Sequence, residues 1–554
     1  MKEKKNSGYG KKKDGEIEIY DLLDELGNEP EVEMPKPKTA KSVKTPKQPR
    51  TSAKQDKPQK RQESPPKKQT PKSRAKQEKQ EQKQAKKKKK NGNKEFARVT
   101  YLFVTLFLVM MGYLVYFNVV RSDEVISSPY NARQDSYSDR VVRGKILDKD
   151  GNVLAQTKVA DDGTETRDYP YGRLYAHVVG YSVKGKSGLE STENFNLLTS
   201  NAFILERLKN ELQGNKNQGD NVVTTLDTNL QQTAYNALGN NKGAVVVIEP
   251  STGKILAMAA KGDFDPNTVS EDWEALNSNE DSVLLNRATQ GKYPPGSTFK
   301  VITTLQYIRE NSNYASYTYD CDSSITHQGT TINCIKQTAH GTENLEQSLA
   351  YSCNTSFSNI SLQLSVSKFQ DTAKQLLFDT KLPCDVSSSK SSFNLTKDDS
   401  DAEKMMTSIG QGKLQMTPYH MALITSAIAN GGTLMTPYLV DSVTNYSGTQ
   451  VSKNMPESYK ELMTSAEAAQ LTKYMQAVTE YGTASSLSGR GYTVAGKTGT
   501  AEYSSDKSQN HSSFIGFTNV DNPDIAISVV VENANETGTT AVSIAGKVFD
   551  AYYN

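Results

Sequence analysis

Twenty-two consecutive residues, Val99 to Val120, contain no carboxylate, ammonium or guanidinium group. Such a run, coiled as a helix, rises about 33 Å, enough to cross the roughly 30 Å hydrocarbon layer of a bilayer. A membrane span is the expectation for such a run, with a buried core helix as the alternative. The run lies far from the N-terminus and no small-x-small cleavage pattern follows it, so it reads as an uncleaved signal anchor. Lys86 to Lys90 and Arg98 precede the span, whereas Arg121, Asp123 and Glu124 follow it. The positive-inside bias therefore predicts a cytoplasmic N-terminus, with everything from about Arg121 onward outside the cytoplasm.

Charge divides at the same place. Residues 1–98 carry 30 Lys and Arg against 15 Asp and Glu, and the remaining residues carry 36 against 48. From Met34 to Lys94 the chain is dominated by Lys, Gln, Pro, Ser and Thr, too poor in aliphatic residues to offset ordering entropy, and it is predicted to be disordered. Tethered beside a membrane, this basic tail suits anionic lipid headgroups better than nucleic acid, and no nucleic-acid partner is expected. The segment Glu16 to Leu26 differs: it is acidic, with Tyr20, Leu23 and Leu26 near helical spacing. A short docking helix for a cytoplasmic partner, or a chance cluster in a solvated tail, fits it equally.

The part after the span divides by pattern into 121–240, a β-rich pedestal, and 241–554. In the pedestal, Val141 to Thr157 reads as a hairpin turning at Asp148-Lys-Asp-Gly151. A strand at Gly219 to Asp227 leads into a helix over Leu230 to Leu238. Strands at Ala244 to Glu249 and Gly253 to Ala259 open the larger domain. Further strands at Tyr492 to Ala501, Ser513 to Thr518 and Ile525 to Glu532 lie near its end, with a helix over Val542 to Tyr552. Sheet segments from both ends enclosing a helix-rich middle predict an α+β domain with an antiparallel sheet. Of the four cysteines, Cys321 and Cys334 form the pair best placed for a disulfide, with free thiols equally compatible. The five histidines read as packing or surface residues at spacings that suggest no metal site, and no cofactor is expected.

Three short patterns carry the chemistry: Ser297-Thr-Phe-Lys300, Ser352-Cys-Asn354 and Lys497-Thr-Gly499. The Ser-x-x-Lys spacing also occurs at Ser64, Ser73, Ser365, Ser387 and Ser504, so spacing alone selects nothing. Ser297 differs from these by its context. Tyr293-Pro-Pro-Gly296 interrupts any preceding helix, and Phe299, Ile302, Leu305 and Ile308 then form an apolar helical face, so Ser297 is predicted to start a helix. Its own N–H would be free to meet developing negative charge. Lys300 falls on the same helical face. Serine needs a base, and no histidine lies in any of the patterns. Lys300 is that base, provided burial or a second cation such as Lys497 favours its neutral form. Ser352 would relay a proton to the leaving amine, Asn354 would hold a substrate amide, and Cys353 between them would point into the core.

Taken together, the three patterns are the signature of penicillin-binding proteins and serine β-lactamases. The box Arg143-Gly144-x-Ile146-x-Asp148-x-x-Gly151-x-x-Leu154-Ala155 resembles the opening of class B penicillin-binding proteins, with Lys149 and Asp150 where Arg and Asn are more usual. Tyr169 to Tyr181, Gly188-Leu-Glu190, Ile409-Gly-Gln-Gly412 and Thr417-Pro418 resemble the same family. The resemblance spans roughly Arg143 to Asn554. It implies a transpeptidase-type α+β domain and a membrane-anchored D,D-transpeptidase that cross-links peptidoglycan stem peptides ending in D-Ala-D-Ala. It also implies β-lactams as acylating inhibitors and, without a readable glycosyltransferase domain, a membrane-embedded glycan polymerase as partner. By the same resemblance Lys497 and Thr498 engage the substrate carboxylate, Gly499 admits its backbone, and the N–H groups of Thr500 and Ser297 form the oxyanion hole. The alternatives are a β-lactamase-like hydrolase, a D,D-carboxypeptidase, and a non-enzymatic β-lactam sensor or division scaffold. A Glu-x-x-x-Asn-like deacylation element is not found in a suitable loop between Ser352 and Lys497.

Overall fold

The computed structural model describes residues 71–118, 138–502, 510–534 and 540–554. Pro71–Tyr116 is one helix of 46 residues. Within it Phe96–Tyr116, with a mean hydropathy of 2.0 and no part buried inside the protein, is long and apolar enough to cross a membrane. Residues 71–94 are helical too, which corrects the expectation of disorder for that stretch. Lack of apolar surface excludes a packed core, but Lys, Gln, Glu and Ala are strong helix formers and can extend an existing helix without paying for a new nucleus. The expected docking helix at Glu16 to Leu26 lies outside the described residues.

From residue 138 onward two sheets organise the chain. The first has six strands in the order Gln450–Lys453, Val440–Thr444, Asn221–Thr224, Ile146–Leu147, Val153–Val159, Glu165–Asp168. The expected hairpin is present, with Ile146 opposite Ala155 and Leu147 opposite Val153. Asp148 closes its turn by accepting from the backbone N–H groups of Asp150 and Asn152 at 2.9 and 2.8 Å, and Gly151 adopts φ +89° there. Strands from both sides of residue 240 share this sheet, because Asn221–Thr224 pairs with Val440–Thr444.

The pedestal motifs meet in a buried ion cluster. Glu190, fully buried, accepts from Arg143 Nε at 2.6 Å and from Arg167 Nε at 2.7 Å. Burial pushes the Glu190 carboxyl up, but the two guanidiniums outweigh it and hold it below the usual carboxylate range. The stability this contributes is present above that range and is lost as pH falls through the depressed value. Glu190→Ala, which strands two buried cations, is expected to cost about 3–5 kcal/mol. An unchanged urea midpoint for that variant would show that the cluster contributes nothing net.

The second sheet has five strands, all antiparallel, in the order Val494–Glu502, Asn510–Thr518, Ala526–Val531, Gly243–Ile248, Ile255–Lys261. This is the α+β arrangement expected from strands at both ends of the domain. The helix Pro418–Ala429, apolar all round, has every residue buried and packs on the central strands, as a helix without a polar face must. Thr228–Leu238 and the C-terminal helix Ala541–Tyr553 pack on each other and on the sheet. Val494–Glu502 is an edge strand, so one side of its backbone is left unpaired within the sheet.

Candidate active site

Ser297 is not yet in the α-helix. It sits in a 3-10 turn, Gly296–Phe299, that feeds the α-helix Lys300–Glu310. The turn is fixed from two sides. Phe299 is 1% exposed and packs on Phe369, Phe378 and Phe393 with ring centroids 5.9 to 6.2 Å apart. Gly296 has φ +57°, and a side chain there would meet Thr500 O at 2.6 Å. Gly296 N–H donates to Gly410 O at 2.9 Å. The Ile409-Gly-Gln-Gly412 pattern is thus the backing of the serine turn, and Thr417 caps the helix that begins at Pro418 by accepting from His420 N–H.

Lys300 is fully buried. Its Nζ donates to Ser352 O at 2.7 Å, Asn354 Oδ1 at 2.7 Å and Ser352 Oγ at 3.3 Å. Lys497 Nζ reaches the same hydroxyl, Ser352 Oγ, at 2.9 Å and also donates to Thr498 O at 2.9 Å. Two ammonium groups converging on one buried oxygen cannot both stay charged cheaply. Burial brings Lys300 down to about 8, with the Cys353 and Cys334 sulfurs and the Glu343 carboxyl opposing the shift. Lys497 is pushed well below its ordinary value, first by burial and then by the charge of Lys300. Lys300 can therefore gain and lose a proton near neutral pH. The rate of serine acylation is expected to rise with pH and level off above about 8, where Lys300 is neutral. A rate flat from pH 6 to pH 9 would remove Lys300 from the role of base.

The strand Val494–Glu502 supplies the third wall. Lys497 points into the interior, Thr498 is half-buried and Thr500 exposed. A side chain on Gly499 would meet Ser513 Oγ at 2.1 Å and Pro295 O at 2.9 Å, so this position must be glycine for the strand to lie against the serine turn. A cleft of about 460 Å³ is lined by Ser297, Ser352, Thr498, Gly499 and Thr500 among others. Lys300, Lys497 and Asn354 do not line it; the two lysines are fully buried beneath it and Asn354 is half-buried. Asn354 differs from expectation. Its Oδ1 accepts from Lys300 and its Nδ2 donates to Asn333 O at 2.9 Å, so its amide holds the lysine rather than facing the cleft. Ser352 has φ +60°, an uncommon value for a side-chain-bearing residue, which aims its hydroxyl between the two lysines.

Sequence reasoning missed three residues of this site. Thr483 Oγ1 lies 2.7 Å from Thr498 Oγ1. Ser513 Oγ donates to Pro295 O at 3.2 Å, and Ser512 accepts from Ala541 N–H at 3.0 Å. The two serines could have been found only through strand register, which sets Gly499 opposite Ser513 and Thr500 opposite Ser512. Thr483 follows a helix and carries no local signal. Of the two readings open for Cys321 and Cys334, a disulfide or free thiols, the structure has the free thiols, with their sulfurs 3.7 Å apart.

Comparison with known proteins agrees with this architecture. Residues 243–553 match the penicillin binding protein transpeptidase domain, and residues 143–222 match the penicillin binding protein A dimerisation domain. Peptidoglycan D,D-transpeptidase PbpA of Mycolicibacterium smegmatis is 32% identical over 474 residues, covering 80% of this chain and 94% of that protein. Penicillin-binding protein A of Mycobacterium tuberculosis, solved as its penicillin G acyl-enzyme complex, is 30% identical with a TM-score of 0.67 over 74% of this chain and 99% of that one. A D,D-transpeptidase domain from Eggerthella lenta is 29% identical with a TM-score of 0.67, over 74% of this chain and 98% of that one. With the domain match covering more than half of the chain and the serine turn, lysines and edge strand converging as described, the chain belongs to the class B penicillin-binding proteins.

Proposed function

We propose that this protein is a membrane-anchored D,D-transpeptidase that cross-links peptidoglycan stem peptides through an acyl-enzyme on Ser297, and that penicillins acylate the same serine. The observation that carries the reading is the meeting of Lys300 Nζ and Lys497 Nζ on Ser352 Oγ beneath a cleft that Ser297 lines. In the proposed reaction neutral Lys300 takes the Ser297 proton as Oγ attacks the penultimate D-Ala carbonyl. Ser352, held by both lysines, passes a proton to the departing D-Ala amine. The amine of a second stem peptide then attacks the ester and restores the serine. Lys497 and Thr498 receive the terminal carboxylate, Gly499 admits the peptide backbone, and the N–H groups of Ser297 and Thr500 polarise the carbonyl. An unpaired strand edge beside the serine suits an extended peptide.

The same reading divides the chain into a basic cytoplasmic tail at 1–98, a span at 99–120, a pedestal at 121–240 and a transpeptidase domain at 241–554. It places the catalytic domain outside the cytoplasm, the tail near anionic headgroups, and a membrane-embedded glycan polymerase beside the span. The test uses the full-length chain in detergent. After incubation with labelled penicillin G and digestion, the adduct should map to the peptide containing Ser297. With a donor ending in D-Ala-D-Ala and an amine acceptor, one D-Ala should be released per cross-link formed. An adduct on any other residue would refute the site. Loss of the label within minutes would instead indicate a hydrolase, and D-Ala release without cross-linked product a carboxypeptidase.

A further inference from the structure

The Ser352–Asn354 turn rests on a cluster that the acyl-transfer chemistry leaves unused. Cys321 ends the strand Thr318–Cys321, Cys334 follows the hairpin Ser324–Asn333, His340 precedes the strand Gly341–Asn344, and Cys353 lies inside the catalytic turn itself. The three cysteines are 0%, 3% and 0% exposed. The four donor atoms all lie within 4.8 Å of one another. Cys321 Sγ is 3.7 Å from Cys334 Sγ, Cys334 Sγ is 3.8 Å from Cys353 Sγ, and Cys321 Sγ is 3.3 Å from His340 Nδ1.

These separations decide between two uses of buried cysteines. A disulfide needs sulfurs about 2.05 Å apart. A tetrahedral zinc ion with Zn–S bonds of about 2.3 Å and a Zn–N bond of about 2.0–2.1 Å sets S···S edges near 3.8 Å and an S···N edge near 3.6 Å. Two of the three sulfur edges match the tetrahedron, the Cys321–His340 edge falls just inside it, and the remaining edges stay within 4.8 Å. The surroundings suit metal-bound thiolates as well. Thr355 Oγ1 donates to Cys321 Sγ at 3.1 Å and lies 3.2 Å from Cys353 Sγ and 3.7 Å from Cys334 Sγ. Ser356 N–H, in the first turn of the helix Asn354–Gln363, donates to Cys353 Sγ at 3.4 Å. Such outer hydrogen bonds orient ligands and stabilise thiolate. The His340 ring stacks on Tyr351 at 6.0 Å, which orients its Nδ1 toward the sulfurs. Three thiolates and a neutral imidazole around a divalent ion leave one net negative charge, near the buried Lys300, which feels the Cys353 and Cys334 sulfurs.

We propose that Cys321, Cys334, His340 and Cys353 bind one soft divalent cation, zinc by this donor set, and that the ion fixes the Ser352–Asn354 turn against Lys300. Binding releases three thiol protons to solvent and needs no oxidant. The four ligands come from a strand end, two loops and the catalytic turn, so the ion ties that turn to its neighbours. His340 and Cys353 are positioning residues, because they act through Ser352 and Asn354. The positioning role rests on the acyl-enzyme reading above, whereas metal binding does not.

The test loads the full-length chain, purified in detergent with reductant, with zinc chloride and then desalts it. Elemental analysis should find one zinc per chain. Cobalt(II) in its place should give the thiolate charge-transfer band and intense visible bands of a tetrahedral site. Cys334→Ser and His340→Ala should weaken or alter both signals, and Cys384→Ser should change neither. Chelation should slow penicillin acylation of the unmodified chain by at least about tenfold, with recovery on adding zinc. Substoichiometric zinc with all thiols reactive, or a Cys321–Cys334 disulfide in freshly purified protein, would overturn the metal site. Bound zinc whose removal leaves the acylation rate unchanged would overturn the positioning role alone. Failure to acylate even when zinc is bound would point to the acyl-enzyme reading as the one at fault.

Discussion

Lys300→Met is expected to slow acylation by penicillin about 10³- to 10⁴-fold at pH 7, and Ser297→Ala to abolish the adduct. Both variants should remain folded. Methionine keeps most of the buried volume of lysine, so no large cavity opens. The change removes the donor from Ser352 O and Asn354 Oδ1, a cost of roughly 1–3 kcal/mol for each stranded acceptor. It also relieves Lys497 of a like-charged neighbour within a shared hydrogen-bond network, which offsets part of that cost. Activity and stability should therefore separate. The parent rate should climb with pH toward about 8, and the residual rate of Lys300→Met should lose that inflection. Acylation within tenfold of the parent at pH 7 would mean that another group takes the serine proton.

Much of the site was legible because its signals are local. The Pro-Pro-Gly interruption before Ser297, the apolar helical face after it and the strand pattern around Lys497 each act within ten residues. They position Ser297, Lys300 and Lys497 without knowledge of the rest of the fold. The two-ended sheet was legible for the same reason, since its strands are β-rich runs bounded by turns. What depends on distant partners was not legible. Ser512 and Ser513 enter the site through register with Thr500 and Gly499. The cysteine and histidine cluster draws ligands separated by 12, 5 and 12 residues, which resembles no short-range ligand spacing. Asn354 was expected in the cleft because its residue type suits substrate amides, but a nearer ammonium, Lys300, captures its oxygen. Residues 71–94 lack the apolar surface for a core and are helical nonetheless, because a helix continued from an apolar neighbour needs no core of its own.

Gly410→Ala is expected to lower acylation about 100-fold, while Gly412→Ala, two residues away, should leave it within about threefold of the parent. Both glycines have positive φ, +77° and +75°, so alanine costs each about 1–2 kcal/mol of backbone strain. They differ in what the new methyl meets. At Gly412 it meets Glu403 Oε1 at 2.5 Å, the end of a side chain that can swing away. At Gly410 it meets Gly296 O at 1.9 Å, which is backbone. Gly296 cannot retreat, because Thr500 O already occupies the space where its own side chain would lie. The added methyl must therefore push the serine turn or the strand Val494–Glu502 off its place, at a further cost of about 1–3 kcal/mol. A displacement of about 1 Å at Ser297 spoils its line of attack, and that misalignment is what the rate reads. Acylation rates and thermal midpoints of the two variants, measured side by side, remove the shared strain and leave the backbone clash. Equal losses in both would show that the strain alone matters and that the Ile409-Gly-Gln-Gly412 turn does not hold Ser297 in position.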